Sequence, residues 1–258
     1  MFEKYKLNAW KTDHLDPRDY KFKSVNKFSA AKHKPVNLTA VNPIIIDQGD
    51  LGSCTACAST SLINYVRKIN KHTDLNPSVL FTYYTTRQIE NTVLYDSGAS
   101  LRSAIKSTVN YGITSETLWP YIVENFDNKP SLQAYTEAKL HQTLSYYRIN
   151  NTKLADLLAC LSQGFPFVFG FAVYDNFFTQ SVLPGAYINL PNTRTNRYLG
   201  GHAVIAEGWE TRLNKTYFIC KNSWGSNFGD KGYFKIEAGY LTNSRLATDF
   251  WTVRTTEN

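Results

Sequence analysis

Near Leu144 the chain changes texture, and this limits the possible folds more than any other feature of it. Upstream, apolar residues recur at helical spacing. Leu62, Tyr65, Val66 and Ile69 fall on one face of a helix running from Cys54 to about Ile69. A second helix is predicted after Asn76-Pro77-Ser78, with Asn76 as N-cap and Pro77 at the first helical position. A third fits residues 100–111, stopped by Gly112, and another 132–142. Downstream, one helix is expected over 153–162, closed by Gly164. Otherwise short β-rich runs dominate, at 167–174, 186–190, 202–209, 216–221, 233–236 and 250–253, parted by Gly, Pro and Asn clusters. An α+β protein follows, with a helical half over about 37–144 packed on a sheet or barrel over about 145–258. The 43% hydrophobic content, with 17 Tyr, 15 Phe and 5 Trp, supplies a core and excludes a disordered chain.

Residues 1–36 read differently. They carry nine Lys or Arg against four acids, a net +5 of the chain's +7, so the rest holds only +2. A basic arm of this kind suits an acidic partner, nucleic acid included, or simply a solvated surface. Trp10, Tyr20 and Phe22 within it are odd for a mere tail, because aromatic groups gain free energy by docking on apolar surface. The first twenty residues lack an apolar stretch of the kind that directs export, and no run approaches the roughly 20 apolar residues that cross a bilayer. The expectation is an intracellular protein without membrane association, in cytoplasm or, if viral, in the virion. Four cysteines (Cys54, Cys57, Cys160, Cys220) are too few for a disulfide scaffold and agree with a reducing compartment.

Three positions carry chemistry. Cys54 follows a tight loop, Gln48-Gly49-Asp50-Leu51-Gly52-Ser53, that runs straight into a helix start. Free amides and the positive end of the helix dipole there favour a thiolate. Read alone, Cys54 is equally well a small buried residue. The Cys54-Thr55-Ala56-Cys57 spacing also permits a redox dithiol or half a zinc site, but no second Cys/His pair or βαβ pattern accompanies it. His202 lies between Gly200-Gly201 and an apolar run, suited to face a cleft or to sit satisfied in a core. Asn222, in Lys221-Asn222-Ser223-Trp224-Gly225, can fix one imidazole nitrogen and aim the other at a thiol, or can simply turn the chain.

Taken together, these residues resemble the papain family of cysteine peptidases. His202 follows Cys54 by 148 residues, and Asn222 follows His202 by 20. Gln48 matches the family's oxyanion-hole glutamine. Gly52-Ser53-Cys54, Gly201-His202-Ala203-Val204, and Asn222-Ser223-Trp224-Gly225 continuing to Gly229-Asp230-Lys231-Gly232-Tyr233 match its signature blocks, and the resemblance covers about residues 36–254. Departures are informative. Leu51 replaces the family's structural cysteine, Thr55 its usual aromatic, and Phe228 a second tryptophan. Asp96-Ser97-Gly98-Ala99-Ser100 stands for the loop beside the cleft. These changes suit a disulfide-free branch similar to bacterial and large-virus homologues.

The resemblance implies two lobes with a cleft between them. Cys54 would be the nucleophile, His202 base and acid, and Asn222 the group that holds the imidazole. Gln48 and the Cys54 amide would form the oxyanion hole, and Gly98, Gly170, Ala203 and Trp224 would line the substrate cleft. It implies protein or peptide substrates and no metal or cofactor, with nucleic acid and membrane not required. An acyltransferase on the same triad, or a non-catalytic binding module, are the alternatives. Residues 1–36 resemble a short propeptide that packs on the enzyme and partly covers the cleft, with a cleavable junction at Lys32-His33-Lys34-Pro35; a permanent strap that only stabilises the fold is the alternative.

Overall fold

The computed structural model describes residues 5–23, 34–72 and 75–257. The expected junction therefore falls partly outside the described residues. Lys34 and Pro35 are exposed, and Lys32 and His33 lie beyond description.

The helical half is built on α1 (Cys54–Ile69), buried from Cys54 to Arg67. Two faces of this helix serve two halves. Cys54, Ala58, Leu62, Tyr65 and Val66, three or four residues apart, pack on Val168, Ala203, Ile205, Trp251 and Val253 of the sheet. Ala56 and Cys57 turn instead to Leu51, Val79, Leu80 and Tyr83. The last three belong to α2 (Val79–Ile89), and α3 (Leu101–Asn110) and α4 (Leu132–Ala138) complete this half.

α2 starts later than the sequence suggests. Its N-cap is Ser78, whose hydroxyl accepts the Phe81 N–H at 3.0 Å, rather than Asn76. Pro77 is extended and bridges Ser115, so it cannot open the helix. α4 ends at Ala138, short of Gln142, because Gly112, at φ +81°, brings its backbone against the Ala138 carbonyl.

The second half is an eight-stranded sheet. Its strands are β2 (Val36–Asn37), β4 (Thr143–Arg148), β5 (Phe167–Tyr174), β6 (Tyr187–Ile188), β7 (Tyr198–Arg212), β8 (Lys215–Lys221), β9 (Tyr233–Glu237) and β10 (Ala247–Thr256). They run in the order β4-β10-β5-β7-β8-β9-β6, with β2 added on β7. Alternation along β5 sorts its side chains. Phe167, Phe169, Phe171 and Val173 enter one core with Phe177, Phe218, Phe234 and Phe250, whereas Val168 faces α1. Each buried Phe contributes about 1.5–3 kcal/mol of hydrophobic stabilisation. Helix α5 (Leu154–Ser162) packs on this half, α6 (Asp175–Ser181) follows β5 without a break, and α7 (Ala238–Leu241) follows β9 in the same way. Neither β4 nor α6 is anticipated by the sequence pattern. A two-residue strand, β1 (Trp10–Lys11), pairs in parallel with β3 (Ala99–Ser100) of the helical half.

Candidate active site

Cys54 is the first residue of α1. Ser53 before it directs its hydroxyl to the Tyr121 phenol at 2.6 Å and makes no side-chain cap. The first-turn amides of the helix, the Cys54 N–H among them, have no partner within the helix ladder. The sulfur lies against the backbone of Ala203, the residue after His202. β5 holds that stretch of β7 in register, with Gly170 opposite Ala203 and Phe171 opposite His202.

The His202 Nε2 and Asn222 Oδ1 are 2.8 Å apart. The Trp224 ring lies over the imidazole, centroids 4.4 Å apart and planes tilted by 25°, sealing this bond from water. The other ring nitrogen, Nδ1, is buried and has no hydrogen-bond partner among the described residues. Asn222 is itself fixed at both ends. Its backbone N–H donates to Gly232 O at 2.9 Å, and its side-chain oxygen also accepts from Ser223 N at 2.9 Å.

Gln48 is buried across the junction of the halves. Its side-chain oxygen accepts from the Ser223 hydroxyl at 2.6 Å, and its Nε2 donates to Leu51 O at 2.9 Å. An amide nitrogen carries two hydrogens, so one N–H remains beside the Cys54 loop. Ser223 and Tyr121, which tie Gln48 and Ser53 together, are parts of this site that sequence reasoning did not single out. Ser223 stands inside the Asn222 block, but nothing in the sequence marks Tyr121. Cys57, by contrast, faces α2, so Cys54 and Cys57 serve different sides of one helix.

Residues 5–13 lie over these groups. The Tyr5 ring stacks on Trp224 at 4.5 Å. Asn8 N–H donates to Gly201 O at 2.9 Å, and Gly201 N–H donates back to Asn8 Oδ1 at 3.1 Å. Ala9 is buried in one cluster with Cys54 and Ala203, and its carbonyl accepts the Ala99 N–H at 2.9 Å. Trp10 rests on Gly170 so closely that a Cβ there would stand 1.9 Å from its Cε2. A Cβ at Gly98, at φ +65°, would stand 2.0 Å from Ala9 O. Thus Gly98, Gly170, Ala203 and Trp224 converge on one groove, and this segment fills it.

Further along, Asp13 and Asp19 anchor the segment to Arg102 and Arg148. The Arg102 Nη2 lies 2.5 Å from Asp19, and Arg148 reaches both aspartates at 3.4 Å and Asp249 at 2.9 Å.

The cover sets the electrostatics. Cys54 and His202 are both fully buried. Burial pushes the Cys54 thiol up to about 12, against the opposing pull of backbone groups of Ala203 and Thr55. Burial likewise pushes His202 down to about 4, opposed by its bond to Asn222. In this closed arrangement both groups are neutral.

Residues 30–253 match the sequence model of the papain family of cysteine proteases. The chain is 40% identical over 218 residues to an uncharacterized peptidase C1-like protein of Acanthamoeba polyphaga mimivirus, covering 81% of this chain and 69% of that one. It is 32% identical over 120 residues to cathepsin B-like cysteine proteinase 4 of Caenorhabditis elegans, which spans 33% of that protein. The crystal structure of xylellain, a cysteine protease from Xylella fastidiosa, superposes with a TM-score of 0.86 at 34% identity, covering 98% and 97% of the two chains. Procathepsin B S9 of Trypanosoma congolense shares the fold, with a TM-score of 0.74 at 18% identity.

Proposed function

We propose, for a chain that belongs to the papain family of cysteine proteases, that peptide bonds are hydrolysed by Cys54, His202 and Asn222 and that residues 5–13 hold the enzyme closed until displaced. The observation that carries this reading is the His202–Asn222 bond of 2.8 Å beneath Trp224, with His202 Nδ1 unpartnered and Cys54 packed against the next residue of β7. A nitrogen fixed on one side and unpartnered on the other can take a proton from a thiol.

Once the groove is open, the Cys54 thiolate attacks the substrate carbonyl and His202 becomes imidazolium. The tetrahedral oxyanion is held by the Cys54 N–H and the remaining Gln48 Nε2 hydrogen, each such donor lowering the barrier by roughly 3 kcal/mol. His202 then gives its proton to the leaving amine, and water, deprotonated by His202, hydrolyses the thioester. Asn222 keeps the imidazole in the tautomer that each step needs.

The closed state is supported by the same contacts that cover the groove. Ala9 and Trp10 occupy the surface a substrate would need, and no water-exposed path to Cys54 remains beside a sulfur with zero exposure. A peptide epoxide that alkylates Cys54 and leaves Cys57 untouched, read by peptide mapping, tests the catalytic assignment. A chain beginning at Val36 tests the closure. Faster hydrolysis of a small peptide with an unchanged melting temperature supports inhibition. Unchanged activity with a large drop in melting temperature leaves the segment as a structural strap.

A further inference from the structure

Opposite the Gly170 wall, the second wall carries Asp96 beside the Cys54 loop, and Glu90, paired with Lys11 at 3.5 Å, farther along the segment. The Asp96 carboxylate accepts the Gly52 N–H with both oxygens, at 3.0 and 3.1 Å, and the Tyr83 hydroxyl. Tyr83 in turn accepts the Gly98 N–H at 3.1 Å. Asp96 is thereby locked between Gly52, two residues before the nucleophile, and Gly98 in the groove. Its side chain is still 18% exposed. The cation on it is Lys6 of the N-terminal segment, which also donates to the Asp96 carbonyl at 3.3 Å. Among the described residues no other basic side chain forms an ion pair with Asp96. Arg87 lies near enough for its charge to be felt, but its guanidinium is bound to the carbonyls of Val93, Tyr95 and Phe126.

Resting on the peptidase reading above, we infer that Asp96 selects a basic side chain, Arg or Lys, on the substrate residue whose carbonyl Cys54 attacks, and that Lys6 occupies this position in the closed protein. When the segment leaves, it removes the cation from a partly buried carboxylate whose geometry stays fixed by Gly52 and Tyr83. An extended substrate presents successive side chains to opposite walls. If the preceding residue points to the Gly170 wall, the residue that donates the carbonyl points to the Gly52–Asp96 wall. A Cβ on Gly52 would lie 2.8 Å from Asp96 Oδ1 and 3.1 Å from Ala9 Cβ, so the carboxylate, the Cys54 loop and the covering segment meet at one spot. An ion pair at this exposure favours Arg over a neutral chain of equal length by roughly twofold to fivefold.

Two peptidyl chloromethyl ketones test this, acetyl-Ala-Leu-Arg and acetyl-Ala-Leu-norleucine, on the full-length protein. The Cys54 sulfur bonds to the methylene carbon, chloride leaves, and the thiol proton passes to His202. Second-order labelling rates are read by intact mass. Closure of the groove lowers both rates by the same open fraction, so their ratio reports the wall alone. The expected ratio is roughly twofold to fivefold in favour of Arg in the wild type. Lys6→Ala should raise both rates and keep the ratio. Asp96→Asn, which retains an acceptor for Gly52, should bring the ratio to about one. A wild-type ratio near one overturns the inference, as does a preference for Arg that survives Asp96→Asn. If neither reagent labels wild type, Lys6→Ala or Trp10→Ala, in the last of which the cover is unseated, while iodoacetamide alkylates Cys54 in all three, the peptidase reading falls and takes the subsite with it. Should Asp96→Asn fail to fold, the wild-type and Lys6→Ala ratios decide alone.

Discussion

Gly170→Ala should unseat the N-terminal segment from the enzyme's side. The added methyl would stand 1.9 Å from Trp10 Cε2 and 2.4 Å from Cδ2 and Cζ2, and the three nearest atoms all belong to that ring. Carbon atoms settle about 3.5–4.0 Å apart, so the overlap is too deep to relax by small shifts and the indole must leave. Its departure forfeits the burial of a large side chain, about 2 kcal/mol for a ring that is only partly enclosed. It also breaks the Trp10 Nε1 bond to Asp249 Oδ2 at 3.2 Å, worth about 1 kcal/mol. A loss of about 3 kcal/mol raises the open fraction roughly a hundredfold, at about 1.4 kcal/mol per tenfold. Iodoacetamide is small enough to need no substrate pocket, so its rate of alkylating Cys54, with the other three buried cysteines as internal references, reports opening directly. Trp10→Ala should do the same, and adding Gly170→Ala to it should do nothing more, because the methyl then meets empty space. An unchanged rate in Gly170→Ala, or effects that simply add in the double variant, would refute the reasoning.

Other consequences follow from the same geometry. Cys54→Ala should abolish peptide hydrolysis, whereas Cys57→Ala, on the α2 side of the helix, should keep most of it and cost about 1–2 kcal/mol of stability. His202→Ala should lower kcat by about a thousandfold or more, and Asn222→Ala by less, since it loses orientation rather than the base; equal losses would contradict these roles. A peptide library should favour Leu, Val or Phe at the second residue before the cleaved bond, in the place where Trp10 meets Gly170, and dominance of Arg or Asp there would count against the pocket. Burial, with the charge of Asp249 nearby, pushes Asp13 up to about 6, and burial raises Asp249 as well. A carboxyl raised on docking favours the docked state in acid. That contribution is full below the ordinary 3.8 and is lost as pH rises through about 6. Protection of the Ala99 amide from hydrogen exchange, corrected for its intrinsic rate, should therefore fall between pH 4 and 7, and a flat profile would contradict it.

Local signals were enough for the elements that local chemistry dictates. Helix α1 begins where Gly52-Ser53 ends the loop, and β5 is a continuous run of apolar and aromatic residues, so both have the bounds their sequences suggest. The cap of α2 was misread because Asn76 and Ser78 are both good N-caps. What decides between them is the bridge from Pro77 to Ser115, nearly forty residues away. Helix α6 follows β5 with no glycine or proline between them and has only seven residues, too few to show a period. The cysteine, histidine, asparagine and glutamine of the site were legible because they stand in dense motif blocks. That the aromatic-bearing basic arm covers the groove was legible in outline, but which residues fill it was not. It depends on Trp10 meeting Ala99 and Gly170, pairings over large sequence distance that a two-residue strand does not announce. Asp96 was visible only as part of a loop, because its importance comes from Gly52, Tyr83 and Lys6 gathering on one carboxylate.

On the reading proposed above, the covering segment would block catalysis in two physically separate ways that reinforce each other. The first is occupancy, since Ala9 and Trp10 stand where a peptide backbone and a side chain would lie. The second is desolvation. Only the thiolate is a competent nucleophile, and a thiolate–imidazolium pair needs water or polar partners around it. With Ala9 packed beside the sulfur, Cys54 is held near 12 and His202 near 4, so the proton stays on sulfur and the pair stays neutral. In the closed protein the His202–Asn222 bond is made, whereas His202 Nδ1 has no hydrogen-bond partner among the described residues and both Cys54 and His202 are neutral. Removing the apolar cover readmits solvent, which lowers the thiol and raises the imidazole together. On that reading the switch from inert to reactive would lie in the groove's contents, tuned by Tyr5, Ala9, Trp10 and their anchors Asp13 and Asp249 rather than by Cys54, His202 and Asn222.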